Sequence, residues 1–144
     1  MVLISHIYKF IYIKNKKVGG TSVESFFGQF CVDPKETYNF LHKQEEKISK
    51  FGIIGSRCGK KKRGEIWFNH MPVTKIKKNK EKDFDKYLKF CVVRNPYDMA
   101  VSQYFWRKRQ HKYKSFKHFI KEYFIHTPSQ FKRYSINGKS VCDY

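Results

Sequence analysis

The run Ile7-Tyr8-Lys9-Phe10-Ile11-Tyr12-Ile13 limits most sharply what this chain can fold into. β-Branched and aromatic residues suit a pleated, buried strand and lose side-chain freedom in a helix. The run leads into Asn15-Lys16-Lys17-Val18-Gly19-Gly20, a glycine-bearing turn, after which the period becomes helical. Val23, Phe26, Phe27 and Phe30 fall at i, i+3, i+4 and i+7, on one helical face. Thr21 followed by Glu24 predicts a capping box at the helix start. The same unit recurs near the middle of the chain. Tyr87–Val93 reads as a second strand, Asn95 as an N-cap and Pro96 as the first residue of a helix running to about Arg109. Repeated strand–turn–helix units predict an α/β fold, a P-loop-like parallel sheet flanked by helices. Ligands of such sheets sit at the carboxyl ends of the strands.

The remaining segments are less strongly patterned. Residues 36–51 read as a weakly amphipathic helix, 52–64 as an exposed glycine-rich loop carrying Lys60-Lys61-Lys62-Arg63, and Glu65–Phe68 as a short strand. A basic, helical or irregular segment spans Pro72 to about Lys86, and a last helix from Ser115 ends at Thr127-Pro128. No repeat or low-complexity linker appears, so residues 1–144 are expected to form a single domain, long enough to bury roughly 70% of its unfolded surface. A hydrophobic fraction of 40% with 18% aromatics argues against disorder. No window approaches a membrane-spanning length, and His6 and Lys9 interrupt the apolar N-terminus, so neither a transmembrane segment nor a signal peptide is expected. Cys31, Cys58, Cys91 and Cys142 show no CxxC spacing and read as small buried residues in a reducing compartment.

The formal charge of +19 implies attraction to polyanions. Lysine supplies most of it, and a compositional bias toward Lys, Ile, Phe and Tyr explains part of the excess without any function. The two turns give some of the charge a local task. In the first, adjacent glycines allow close backbone approach and the N-terminus of a helix favours an anion. Lys17 adds a point charge, and Thr21 and Ser22 add hydroxyl donors. This is a phosphate cradle in physical terms, but not a Walker A loop, because Lys17 precedes the glycines. In the second turn, Arg94 ends a strand, where a guanidinium can grip a phosphate bidentately.

Residues 11–24, containing Lys17-Val18-Gly19-Gly20-Thr21-Ser22, resemble the "hxxxPKxGGTS" 5′-phosphosulfate loop of the sulfotransferases that use 3′-phosphoadenosine 5′-phosphosulfate (PAPS); Lys16 replaces the usual proline. Phe90–Ser102 resembles that family's "FxxVRNPxxRxxS" 3′-phosphate signature, with Met99 where an arginine is frequent. Asn69–Ile76 is similar to the "H-x-x-x-x-x-I" region of the carbohydrate branch, the heparan 2-O and chondroitin enzymes, and Tyr134–Tyr144 resembles the segment preceding its "I-x-R-x-E" element. The resemblance implies a sulfotransferase fold, apparently truncated at the C-terminus. It implies PAPS as co-substrate held by Lys17, Val18, Gly19, Gly20, Thr21, Ser22, Arg94 and Ser102. It also implies a metal-free in-line transfer of a sulfuryl group to a carbohydrate or glycan hydroxyl, with Lys17 stabilising the departing phosphate.

His70 is the best candidate for the base that takes the acceptor proton, since a neutral imidazole titrates near working pH; Glu24 is the runner-up. The other histidines have no motif context. The basic runs Lys60–Arg63 and Arg107–Arg109 suggest a groove for an anionic glycan, and Trp67 and Trp106 suggest sugar stacking or core packing. Relatives of the carbohydrate branch are Golgi proteins with a membrane anchor, whereas this sequence suggests a soluble cytoplasmic or viral form. Three rivals remain: a basic nucleic-acid-binding module, a kinase with an aberrant P-loop, and an inactive sulfotransferase-like fragment that binds nucleotide only.

Overall fold

A computed structural model describes residues 1–57, 64–79, 81–127 and 129–142. The chain opens with an antiparallel hairpin, β1 (Leu3–Ser5) and β2 (Phe10–Tyr12), in register Leu3↔Tyr12, Ile4↔Ile11 and Ser5↔Phe10. The expected strand over 7–13 is thus shorter and has a partner immediately before it. Ser5 makes the reversal: its Oγ accepts from the Tyr8 amide at 3.1 Å, and Lys9 takes a left-handed φ of 51°. Neither glycine, proline nor asparagine marks this turn, so the apolar run conceals it.

Helix α1 (Gly20–Phe27) follows and tightens into a 3₁₀ turn, Gly28–Cys31. The helix expected over 36–51 is absent. Its place is taken by irregular chain and β3 (Lys47–Ile48), which forms a second hairpin with β4 (Gly52–Ile54), a buried strand at the start of the segment expected to be an exposed loop. Ser49 Oγ accepts from the amides of Phe51 and Gly52, each at 3.2 Å. At Gly52 an added Cβ would lie 2.4 Å from the Ile4 carbonyl oxygen, so this strand can lie against β1 only with glycine there. Glu65–Phe68 is not a strand either: the Ile66 and Trp67 amides both donate to Glu46 Oε1, which leaves Trp67 buried in the core.

Short helices α2 (Val73–Asn79) and α3 (Glu81–Phe84) lead into β5 (Leu88–Phe90), then α4 (Pro96–Phe105). A 3₁₀ segment, Trp106–His111, extends α4. Helix α5 (Phe116–Phe119) runs on as a π-helical turn over Ile120–Phe124, and a 3₁₀ turn spans Gln130–Arg133. A two-stranded hairpin, β6 (Ser135–Ile136) and β7 (Lys139–Ser140), closes the described chain.

The main sheet has five strands in the order β3-β4-β1-β2-β5. It is mixed, which corrects the expected parallel sheet: β1 pairs antiparallel with both β2 and β4, and only β2 and β5 are parallel. The alternating side chains of the strands feed two cores. Ile4, Ile11, Ile13 and Ile53 meet Trp67, Met71, Val73, Ile76 and Phe84 on one side. Leu3, Phe10, Tyr12 and Ile54 meet Val23, Phe27 and Phe30 of the α1 segment on the other. Phe26, counted on the apolar face from its spacing, is exposed.

Candidate functional site

The two turns singled out in the sequence leave the carboxyl ends of β2 and β5, the parallel neighbours. They touch. Asn15 Nδ2 donates to the Val92 carbonyl at 2.9 Å, and Arg94 Nη1 donates to the Lys17 carbonyl at 3.3 Å. The guanidinium is exposed and forms no ion pair with Asp98. Gln130, from the distant C-terminal 3₁₀ turn, closes the loop from the other side. Its Oε1 accepts from the Lys16 amide at 2.7 Å and its Nε2 donates to the Lys16 carbonyl at 3.1 Å, as a neighbouring strand would.

Between these elements lies a groove of about 340 Å³, whose lining includes Asn15, Val18, Arg94, Met99, Gln130 and Phe131. Asn15 is almost fully buried, and its Oδ1 finds no hydrogen-bond partner among the described residues. Lys17 is half-buried at φ 60°, with its ammonium 5.0 Å from the centre of the Trp106 ring.

The adjacent glycines have separate reasons. Gly19 is the helix N-cap at φ 73°, a left-handed conformation that costs other residues. Gly20 is buried, and a Cβ there would sit 2.9 Å from Lys14 Cε and 3.1 Å from the Tyr12 hydroxyl. The expected capping box is therefore absent. Gly19 caps the helix, Thr21 Oγ1 accepts from Arg57 Nη2 at 2.9 Å, and Glu24 is fully buried beneath the turn. There Glu24 faces three cations: the Met1 ammonium at Oε1, and Lys14 Nζ and Arg57 Nη1, each at 2.8 Å, at Oε2. Three charge-assisted bonds outweigh one reach back to a backbone amide. They also remove Glu24 as a candidate base, since none of its oxygens faces solvent.

Thr21 and Ser22 are exposed at the start of α1. They line a shallow depression with Ser25, Phe26, Phe40 and His42, outside the 340 Å³ groove. Asn95 caps α4 as expected, accepting from the Tyr97 amide at 2.9 Å with Pro96 at the first helical position. Ser102 is half-buried on α4, one turn past Met99, and does not line the groove. His70 lies on the core side of the first loop at φ 57°, and Arg133 Nη1 donates to its carbonyl at 2.6 Å. Burial, and then the positive charges of Lys14, the N-terminus and Arg133, push the imidazole down to about 3; a hydrogen bond with the Lys14 backbone opposes them in part. The ring is neutral at pH 7. The run Lys60–Arg63 and the side chains of Arg107–Arg109 lie outside the described residues.

The structure thus brings Val18 and Arg94 to one groove, with Lys17 joined to it through its carbonyl and the Gly19–Gly20 turn beside it, while the Lys17 ammonium lies against Trp106; Thr21, Ser22, Ser102 and His70 do not line it. Asn15, Arg57, Gln130 and Arg133 were not singled out by sequence. Asn15 had a local signal, a polar residue between an apolar strand and its turn. The other three contact the site from far along the chain, and nothing in their own neighbourhoods announces it. No protein-family model matches this chain, and no curated protein or solved structure matches it. Among the described residues no cluster of three or more His, Cys, Asp or Glu would hold a metal ion, and no helix is long and apolar enough to cross a membrane.

Proposed function

We propose that this chain is a PAPS-dependent sulfotransferase acting on a carbohydrate hydroxyl. One observation carries the reading. The two segments that resemble the family's phosphate loops leave neighbouring parallel strands and meet, with Arg94 bonded to the Lys17 carbonyl at 3.3 Å. Two separate motifs placed this way suit one ligand with phosphate groups at both ends. The residues present fit such a group. Gly19 and Gly20 leave the helix start bare, and Lys17 and Arg94 supply positive charge.

Bound there, PAPS supplies an activated sulfuryl group. Lys17 then offsets charge on the oxygen that departs with the 5′-phosphate, and Arg94 fixes the 3′-phosphate. His70 takes the proton from the acceptor hydroxyl. Its ring is neutral, as a base must be, but burial first and the charges of Lys14, the N-terminus and Arg133 second hold its basicity far below that of a free imidazole, contrary to the expectation that it titrates near working pH. The fold, on this reading, is the sulfotransferase variant of the mixed α/β sheet.

A thermal-shift titration with 3′,5′-ADP tests the proposal. Saturation to a hundredfold over the dissociation constant is expected to stabilise the wild type by about 2.7 kcal/mol. Lys17→Ala and Arg94→Ala should lose most of that gain. Absence of any stabilisation in the wild type overturns the reading. Binding to single-stranded oligonucleotides with steep salt dependence, and not to 3′,5′-ADP, would favour a nucleic-acid module instead.

A further inference from the structure

Arg57 belongs to none of the motifs, yet few side chains near the site are more firmly held. Its backbone pairs both ways with Gln44, the Arg57 amide donating to the Gln44 carbonyl at 2.7 Å and the Gln44 amide to the Arg57 carbonyl at 3.1 Å. The guanidinium carbon lies 4.7 Å from the centre of the Phe40 ring. Nη1 donates to Glu24 Oε2 at 2.8 Å and Nη2 to Thr21 Oγ1 at 2.9 Å, and only 8% of the side chain is exposed. The fork is divided between a buried carboxylate and one hydroxyl.

A threonine hydroxyl has one proton and two lone pairs. With a lone pair of Thr21 taken up by a buried guanidinium, the oxygen is fixed from below. Its proton is then left to point away from Arg57, and Thr21 stands exposed at the start of α1. Held by Glu24 and Thr21, Arg57 does not itself reach an anion at the start of α1; beyond the shared positive field, it acts there through Thr21.

We propose that Arg57 is a positioning residue of the anion cradle: it orients the Thr21 hydroxyl as a donor to the 5′-phosphate end of the nucleotide. This rests on the reading of the site given above. The role requires the planar fork, because a lysine ammonium can pair with Glu24 but does not reproduce the second, divergent bond to Thr21.

The test is calorimetric titration with two probes, 3′,5′-ADP and 3′-AMP, which lacks the 5′-phosphate. A hydrogen bond to a charged group is worth roughly ten- to a hundredfold in affinity. Thr21→Val and Arg57→Lys should each lose about that factor for 3′,5′-ADP and leave 3′-AMP unchanged. The double variant should lose no more than either single one, because both remove the same oriented donor. Thr21→Ser, which keeps the hydroxyl, should bind like wild type. If Arg57→Lys does not fold, Phe40→Leu loosens the guanidinium with arginine in place and should reduce discrimination for the 5′-phosphate in the same direction. Additive losses, equal losses on both probes, or unchanged discrimination in Phe40→Leu would overturn the role of Arg57 while leaving the nucleotide site standing. A wild type that binds neither probe overturns the site itself, and this role with it.

Discussion

Replacing Glu24 with glutamine separates two accounts of the same residue by the size of its effect. In a capping box, Glu24 would add one exposed side-chain bond to a backbone amide, and its loss would cost roughly 1 kcal/mol. In the structure it is 0% exposed and answers the Met1 ammonium, Lys14 and Arg57. Glutamine keeps the shape but leaves those cations facing one another without a counter-charge. Removing one member of a buried ion pair costs roughly 3–5 kcal/mol, mostly from the charge left behind. For a chain of 144 residues this corresponds to a fall in melting temperature of about 10 °C or more. Urea unfolding followed by circular dichroism measures it, with an unchanged slope showing that the loss lies in native stability. Added salt should change the difference little, because buried charges are weakly screened. Asp85→Asn is the control: the Lys77–Asp85 pair, at 3.6 Å and open to solvent, should contribute no more than about 0.5 kcal/mol. A loss below about 1 kcal/mol for Glu24→Gln would refute the counter-ion account and return Glu24 to the helix cap.

Two further outcomes follow from the same region. Gly19→Ala should cost about 1 kcal/mol for its left-handed φ of 73°, with open space around it, whereas Gly20→Ala must displace the Lys14 stem 2.9 Å away and should cost roughly 1–3 kcal/mol; parallel urea titrations compare them. His70, held down to about 3 in the folded state, stays neutral where the unfolded chain takes up a proton. Its contribution is complete above about pH 6.5 and is lost as the pH falls toward 3. Stability measured across that window should therefore fall less steeply in His70→Gln than in wild type, and equal slopes would refute the assignment.

The parts of this fold that were readable are those whose causes are local. Asn95-Pro96 specifies the start of α4, and Ser115 the start of α5, because a cap and its helix lie within a few residues of one another. The two strand-to-helix turns, after β2 and after β5, were readable for the same reason. The hairpin of β1 and β2 was not. Its turn is made by one serine hydroxyl inside an apolar run, so the period-two signal of both strands merges into one. Residues 36–51 carry a weak helical period, but pairing with β1 decides their fate: β4 becomes a strand because Gly52 lets it reach Ile4, and β3 follows by hairpin. The capping box failed for an electrostatic reason. A glutamate after a threonine satisfies the pattern, and no local rule anticipates Arg57, 33 residues away from Glu24, arriving to claim both side chains.

That competition also bears on the net charge of +19. One carboxylate beneath the first loop faces three cations, so the base of the cradle carries a net positive charge before Lys17 and Arg94 at its rim are counted. Glu24 holds Lys14 and Arg57 too firmly for either to swing out to a ligand. Their surplus acts as a fixed field, and groups that need not reorganise stabilise charge at little cost when it appears. Exposed lysines such as Lys16 and Lys50 act over about a Debye length, and their effect fades as salt is added. The two populations therefore answer different questions. On the proposed reading, surface lysine would govern how fast an anionic nucleotide arrives, and the held cations what remains bound. A composition count cannot divide them, because it assigns Lys14, with its ammonium 2.8 Å from a buried carboxylate, the same weight as a lysine in open solvent.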